Sequence, residues 1–157
     1  MTAPRRAPKS SVLKFRRAKV HFQALKAEIE DFFKPDPDSP VIDFEVNPDD
    51  GVVRFRVKKQ LPAEWGLLIG DCINNLRAGL DHWVWATILE HGGTPTRSNE
   101  FPIFLNRDGY LKFKKNGSPA PSSGLAKVEG LPDGAKACIE SLQPYNRTDG
   151  PFDLHPL

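Results

Sequence analysis

Cysteine, long apolar runs and, near the start, acidic side chains are all scarce in this 157-residue chain. The two cysteines, Cys72 and Cys138, lie far apart and within helical patterns. They make no disulfide framework, so a reducing cytoplasm is the expected setting. No apolar run approaches the ~20 residues of a membrane span, and the opening MTAPRRAPKSS has no apolar signal core. His21, His82, His91 and His155 have no metal spacing with Cys or carboxylates, so no metal and no cofactor are expected. No glycine-rich phosphate loop follows a strand, no serine sits in a nucleophile elbow, and there is no internal repeat. Residues 1–27 carry no acid but eight bases: Arg5, Arg6, Lys9, Lys14, Arg16, Arg17, Lys19 and Lys26. The remainder holds 14 bases against 20 acids, a net charge of −6 within an overall +2. A basic front on an acidic body points to self-association or to an anionic partner.

What is present suits one folded domain. The chain is 39% hydrophobic and 10% aromatic, enough to build a real core. Its fifteen prolines cluster between elements and imply long, irregular connections. Residues 1–10 read as a disordered basic tail and 11–157 as a single helical domain. From Ser11 to Phe33, Phe15, Ala18, Phe22, Leu25, Ile29 and Phe32 recur at threes and fours, an amphipathic helix. Its charges oppose the helix dipole, with bases early and Glu28, Glu30 and Asp31 late.

Within 41–57, Ile42, Phe44 and Val46, then Val53, Phe55 and Val57, alternate with charged residues across Asn47-Pro-Asp-Asp-Gly51. That pattern predicts a β-hairpin pairing Asp43 and Glu45 with Arg54 and Arg56. Asp108–Lys115 reads as a brief helix and Gly117–Gly124 as a flexible linker. After Leu131-Pro, a short C-terminal helix capped by Asp133 uses Ala137, Cys138, Ile139 and Leu142. The expected fold is mainly α (α+β): a long antiparallel helix pair, an inserted hairpin and a short C-terminal helix.

The stretch 62–91 is the central helix, with Pro62 in its first turn and Gly92-Gly93 at its stop. Trp65, Ile69, Cys72, Ile73, Leu76, Leu80, Trp83, Val84 and Thr87 share its apolar face. The opposite side carries Asp71, Asn74, Asn75, Arg77, Asp81 and His82 around Ala78 and Gly79. Asn and Asp disfavour helix where Glu and Lys would favour it, so this side reads as a polar seam that faces something. Trp85, beside Ala78 and His82, is the candidate exposed aromatic.

Arg77-Ala-Gly-Leu-Asp-His82 resembles the Arg-x(4–6)-His signature of HEPN-type proteins, many of them dimeric, metal-independent ribonucleases. The resemblance implies His82 as proton acceptor from a ribose hydroxyl and Arg77 as phosphate clamp. Asn74, Asn75 and Asp81 would support them, and Arg16, Arg17, Lys19 and Trp85 would contact nucleic acid. A broader resemblance rests on G-D-x-x-x-N-L-R-x-x-L-D-H (70–82), F-P-I-F (101–104), Q-P-Y (143–145) and H-P-L (155–157). These segments look like a family of uncharacterised bacterial proteins in which H-P-L leads into a further helix bearing Asp-Lys-His-Arg. On that resemblance the chain is expected to be a truncated form or a short relative.

Two functions stay open. One is a HEPN-like RNA-binding or RNA-cleaving protein of defence or RNA processing. The other is a non-catalytic helical module whose seam packs on a second copy, through the central helix, or on a partner protein. Bland chemistry competes with the first: Arg77 can simply pair with Asp81 one turn on.

Overall fold

The structure, a computed structural model, describes residues 9–34, 42–46, 51, 53–57 and 59–146. The protein is mainly helical. Helix α1 spans Lys9–Phe32, strands β1 and β2 span Ile42–Val46 and Val53–Val57, and helix α2 spans Glu64–Glu90. Short helices α3 (Arg107–Tyr110) and α4 (Gly124–Lys127) precede α5 (Asp133–Ser141), and a 3-10 turn covers Pro144–Asn146. β1 and β2 pair antiparallel, Asp43 opposite Arg56 and Glu45 opposite Arg54. The segment joining them at 47–50, the basic tail at 1–8 and the H-P-L end at 155–157 lie outside the described residues. Among the described residues, no helix is long and apolar enough to cross a membrane.

The chain divides by its internal contacts into two compact units. One comprises Phe15–Leu76; the other joins Met1–Lys14 to Arg77–Leu157. The second unit holds the core. Val84 and Ile88 of α2 cluster with Val128, Leu131 and Ile139, all buried, with Trp83, Phe101 and Ala135 against them. Each such aliphatic side chain contributes roughly 1.5–3 kcal/mol by leaving water. In the Phe15–Leu76 unit the buried hydrophobic side chains among the described residues are Ala18 and Phe32. Phe32 sits edge-on to Trp65, ring centroids 5.1 Å apart.

Both long helices correct the expected apolar faces. On α1 the inward residues are Ser11, Ala18 and Phe32, with Lys14, His21, Leu25 and Ile29 half-buried. That is a narrow seam stepping by threes and fours. Small Ser11 and Ala18 lie in it, while Phe15 and Phe22 are displaced to its flank and exposed. On α2, Val84 and Thr87 are buried as expected, but Ile69, Ile73 and Leu76 are exposed. The physical reason is local: the core that covers α2 is built from residues 101–139 and lies against its second half.

Gly92 ends α2 in the left-handed region, φ +78°, where the missing Cβ removes the strain. The Gly92 and Gly93 amides donate to the Leu89 and Ile88 carbonyls, each at 3.0 Å. Further along, the expected Asp108–Lys115 helix stops at Tyr110, and Phe113 instead bridges to Pro119. The expected flexible linker at 117–124 is packed: Ala120, Ser123 and Gly124 are buried. Its small residues explain this. Gly124 lies so close to the fully buried Tyr110 ring that a Cβ there would run into it. Ser123 Oγ accepts the Ala126 amide at 3.2 Å and donates to the Ala120 carbonyl at 2.7 Å. In α5, Pro132 holds the cap position with no side-chain bond, so Asp133 is a first-turn acid on the helix dipole instead of a cap. Cys138 is exposed and Ile139 buried.

Candidate functional site

The polar side of α2 is largely spent on the chain itself. Arg77 Nε lies 3.3 Å from Asp81 Oδ2 and Arg77 Nη2 3.2 Å from Glu100 Oε2. Glu100 also takes the Lys127 ammonium, and its amide donates to the Lys127 carbonyl at 3.3 Å. Asp81 Oδ1 accepts the Phe101 amide at 2.8 Å. The hydrogen bond from Lys127, together with the charges of Lys127 and Arg77, holds the Glu100 carboxyl below its usual range against the opposing effect of burial. Arg77, Lys127, Asp81 and Glu100 thus form a four-charge cluster of zero net charge, with Arg77 one-third exposed. A guanidinium shared by two carboxylates has little field left for a phosphate.

His82 points elsewhere. It is exposed and lines an open hollow of about 460 Å³ with Ser10, Asp81, Trp85, Ala86 and Leu89. Five residues of helix turn its direction by ~140° from that of Arg77. Trp85 is 40% exposed, and its Nε1 donates to the Asn99 carbonyl at 2.8 Å. Its ring face is available, but its N–H is committed.

The expected site residues therefore fall in two groups. Arg77, Asp81, His82 and Trp85 belong to the unit containing Arg77–Leu157. Arg16, Arg17, Lys19, Asn74 and Asn75 belong to the Phe15–Leu76 unit. There the three bases and Asn74 are exposed, while Asn75 Nδ2 donates back to the Asp71 carbonyl of its own helix at 2.8 Å. Among the described residues no three His, Cys, Asp or Glu side chains gather as metal ligands would.

Sequence reasoning missed the residues that fasten the loop over α2. Buried Asn99 accepts the Thr96 amide on Oδ1 at 2.7 Å. Its Nδ2 donates to the Lys127 and Glu129 carbonyls at 3.2 and 2.9 Å. Buried Gln143 does the same from the far side: Nε2 donates to the Pro102 and Ile139 carbonyls, and Oε1 accepts the Phe104 amide, all at 3.0 Å. Two segments of the broader resemblance, F-P-I-F and Q-P-Y, are joined through that glutamine. Asp81, from the third, meets the same loop through Phe101. A signal for Gln143 lay in the Q-P-Y segment, though its role did not. Asn99 had none, because an Asn in a polar loop looks solvated.

Comparison of the chain with family models, with curated proteins and with solved structures found no match.

Proposed function

We propose that this chain is a non-catalytic helical interaction module, in which the Arg77 cluster builds the fold and an exposed face of the long helices binds protein. The observation that carries the reading is the commitment of Arg77 to Asp81 and Glu100, with Lys127 completing the neutral cluster. Arg77 then acts as a structural cation fastening residues 100–101 to α2. With this reading goes the antiparallel pairing of α1 and α2, the β1–β2 hairpin inserted between them. Two observations support the pairing: Phe32 packs on Trp65, and Ser10 shares a hollow with His82 and Leu89. The test is an RNA-cleavage assay on the purified full chain, in EDTA, with a structured RNA. Wild type and His82→Ala should both leave the RNA intact. Cutting that is abolished by His82→Ala would overturn the reading.

One observation favours the HEPN-like alternative. His82 and Trp85 border the same open hollow, and an imidazole beside an aromatic face suits a splayed nucleotide. On that reading Arg77 must leave Glu100 when phosphate arrives, so cleavage would rise in Glu100→Gln. The module reading expects none in either protein.

A further inference from the structure

The Phe15–Leu76 unit exposes an apolar surface where its own helices should have a core. On α2, Ile69, Ile73 and Leu76 fall within ~60° of arc, and Ile73 is 61% exposed. On α1, Phe15 and Phe22 lie ~20° apart, and Phe22 is 56% exposed. Both groups are rotated in the same sense from the seams that run through Ala18, Leu25 and Phe32 on α1 and Trp65, Cys72 and Gly79 on α2. In an antiparallel pair, equal rotation puts them on one side. Counting back from the Phe32–Trp65 contact, Phe22 lies level with Asn75 and Leu76. Together these five side chains leave roughly 480 Å² of apolar area open, taking about 200 Å² for each whole side chain. That matches the largest apolar patch of a typical monomer, a size often functional, and is somewhat over half of one partner's share of a stable interface.

Gly66 and Gly70 add a second, independent observation. They stand four residues apart beside Ile69 and Ile73, inside α2, and a Cβ on either would meet nothing within 4 Å. Gly70, past the first turn, costs the helix about 1 kcal/mol against alanine. Gly124 has a close neighbour that requires its missing side chain; Gly66 and Gly70 have none within the chain. A helix approaching from outside would supply the reason.

The charges indicate whose helix it is. Lys19 borders the Phe15–Phe22 strip at one end; Glu30 borders it at the other, held by a loose 3.6 Å ion pair with Lys26. The strip is therefore complementary to itself reversed. We infer that this face binds a second copy of the chain, α1 against α1 and α2 against α2, about a two-fold axis passing near Ala24 and Ile73. Such an isologous contact sets Lys19 of each copy opposite Glu30 of the other, and the two Ile73 side chains against each other. The inference rests on the reading of the chain as an interaction module and names its partner.

Sedimentation equilibrium of the full chain tests it. Wild type should run at twice the 17.5 kDa chain mass at micromolar concentration. Ile73→Glu, on an exposed position, should keep its helical circular dichroism and raise the dimer Kd about a hundredfold. Gly70→Leu should weaken the dimer while raising the Tm of the monomer. Lys19→Glu and Glu30→Lys should each weaken the dimer, and mixing the two should restore a heterodimer, since only the mixture pairs unlike charges at both ends. A monomeric wild type, an Ile73→Glu dimer as tight as wild type, or charge variants that mixing does not rescue would each overturn the inference. Failure of the module reading shows elsewhere, as RNA cleavage dependent on His82; a monomer that cuts no RNA removes only the second copy.

Discussion

Exchanging Asn99 for aspartate should cost as much stability as exchanging it for alanine, although aspartate is nearly isosteric. In the native chain the Asn99 amide donates to two main-chain carbonyls, Lys127 at 3.2 Å and Glu129 at 2.9 Å, and accepts the Thr96 amide at 2.7 Å. Alanine strands these three, and also the Thr96 hydroxyl that donates to the same Asn99 oxygen at 3.1 Å. Thr96 is exposed and its amide can turn to water, so the loss comes chiefly from the two carbonyls and should total about 2–3 kcal/mol. That is a large fraction of the roughly 5–15 kcal/mol typical of a domain. A carboxylate keeps the Thr96 bond but presents acceptors to acceptors and carries a charge into a buried site, so at neutral pH it should lose at least as much.

Burial and the facing carbonyls would raise the pKa of the introduced carboxyl above its unfolded value. The stability of the aspartate variant should therefore recover as pH falls below about 5, where the protonated acid can donate to one carbonyl. Urea unfolding followed by circular dichroism, at neutral pH and near the carboxylate range, measures both effects with m held as a check. Tryptophan fluorescence should shift in parallel, because Trp85 donates to the Asn99 carbonyl. An aspartate variant more stable than the alanine variant at neutral pH would refute the assignment of donors and acceptors.

Arg77→Met should lower stability by about 1 kcal/mol, a value reduced by the partial exposure of the cluster, without loss of helical signal; a thermal melt reads it, and a gain in Tm contradicts the fastening role. Glu100, its carboxyl held low mainly by Lys127, contributes stability that is present above the ordinary carboxylate pKa and is lost as pH falls through the depressed one. Glu100→Gln should accordingly flatten the acid limb of the stability curve. Gly124→Ala places a methyl into the Tyr110 ring and should cost about 1–3 kcal/mol by overpacking, measured by urea midpoint. Burial pushes Tyr110 up to about 12 and also raises Tyr145, helped by the nearby Glu140 charge. Tyr110 should stay protonated at pH 10 by ultraviolet difference titration. For Tyr110 the raised folded value means that stability falls as pH climbs from about 10 through 12.

The helical character of the chain and the bounds of its long helices were legible because residue period and turn chemistry are local properties. Gly92-Gly93 marked the end of α2 for the reason it is there, a left-handed residue with no Cβ. What could not be read was which side each helix turns inward. Phe15 and Phe22 satisfy the period as well as Ala18 does, and only the tertiary fit selects the small residue. The candidate site was legible in the same limited way. Arg77 and Asp81 could be paired one turn apart, but Glu100 and Lys127 come from segments that nothing in the spacing connects. The packed 117–124 segment was hidden by its composition. Gly, Ser, Pro and Ala serve a flexible linker and a tight approach to an aromatic ring equally well.

The bonds that pin residues 99–104 come from Lys127, Glu129 and Gln143, 28 to 41 positions later in the chain. At a synthesis rate of roughly 5–20 residues per second, the first of these arrive a few seconds after the loop has left the ribosome. Until then Val84 and Ile88 have no cover from Val128, Leu131 or Ile139, and α2 presents a greasy flank to the cell. The nascent chain therefore passes through a window in which it needs shelter, and that window closes when α5 and Gln143 emerge.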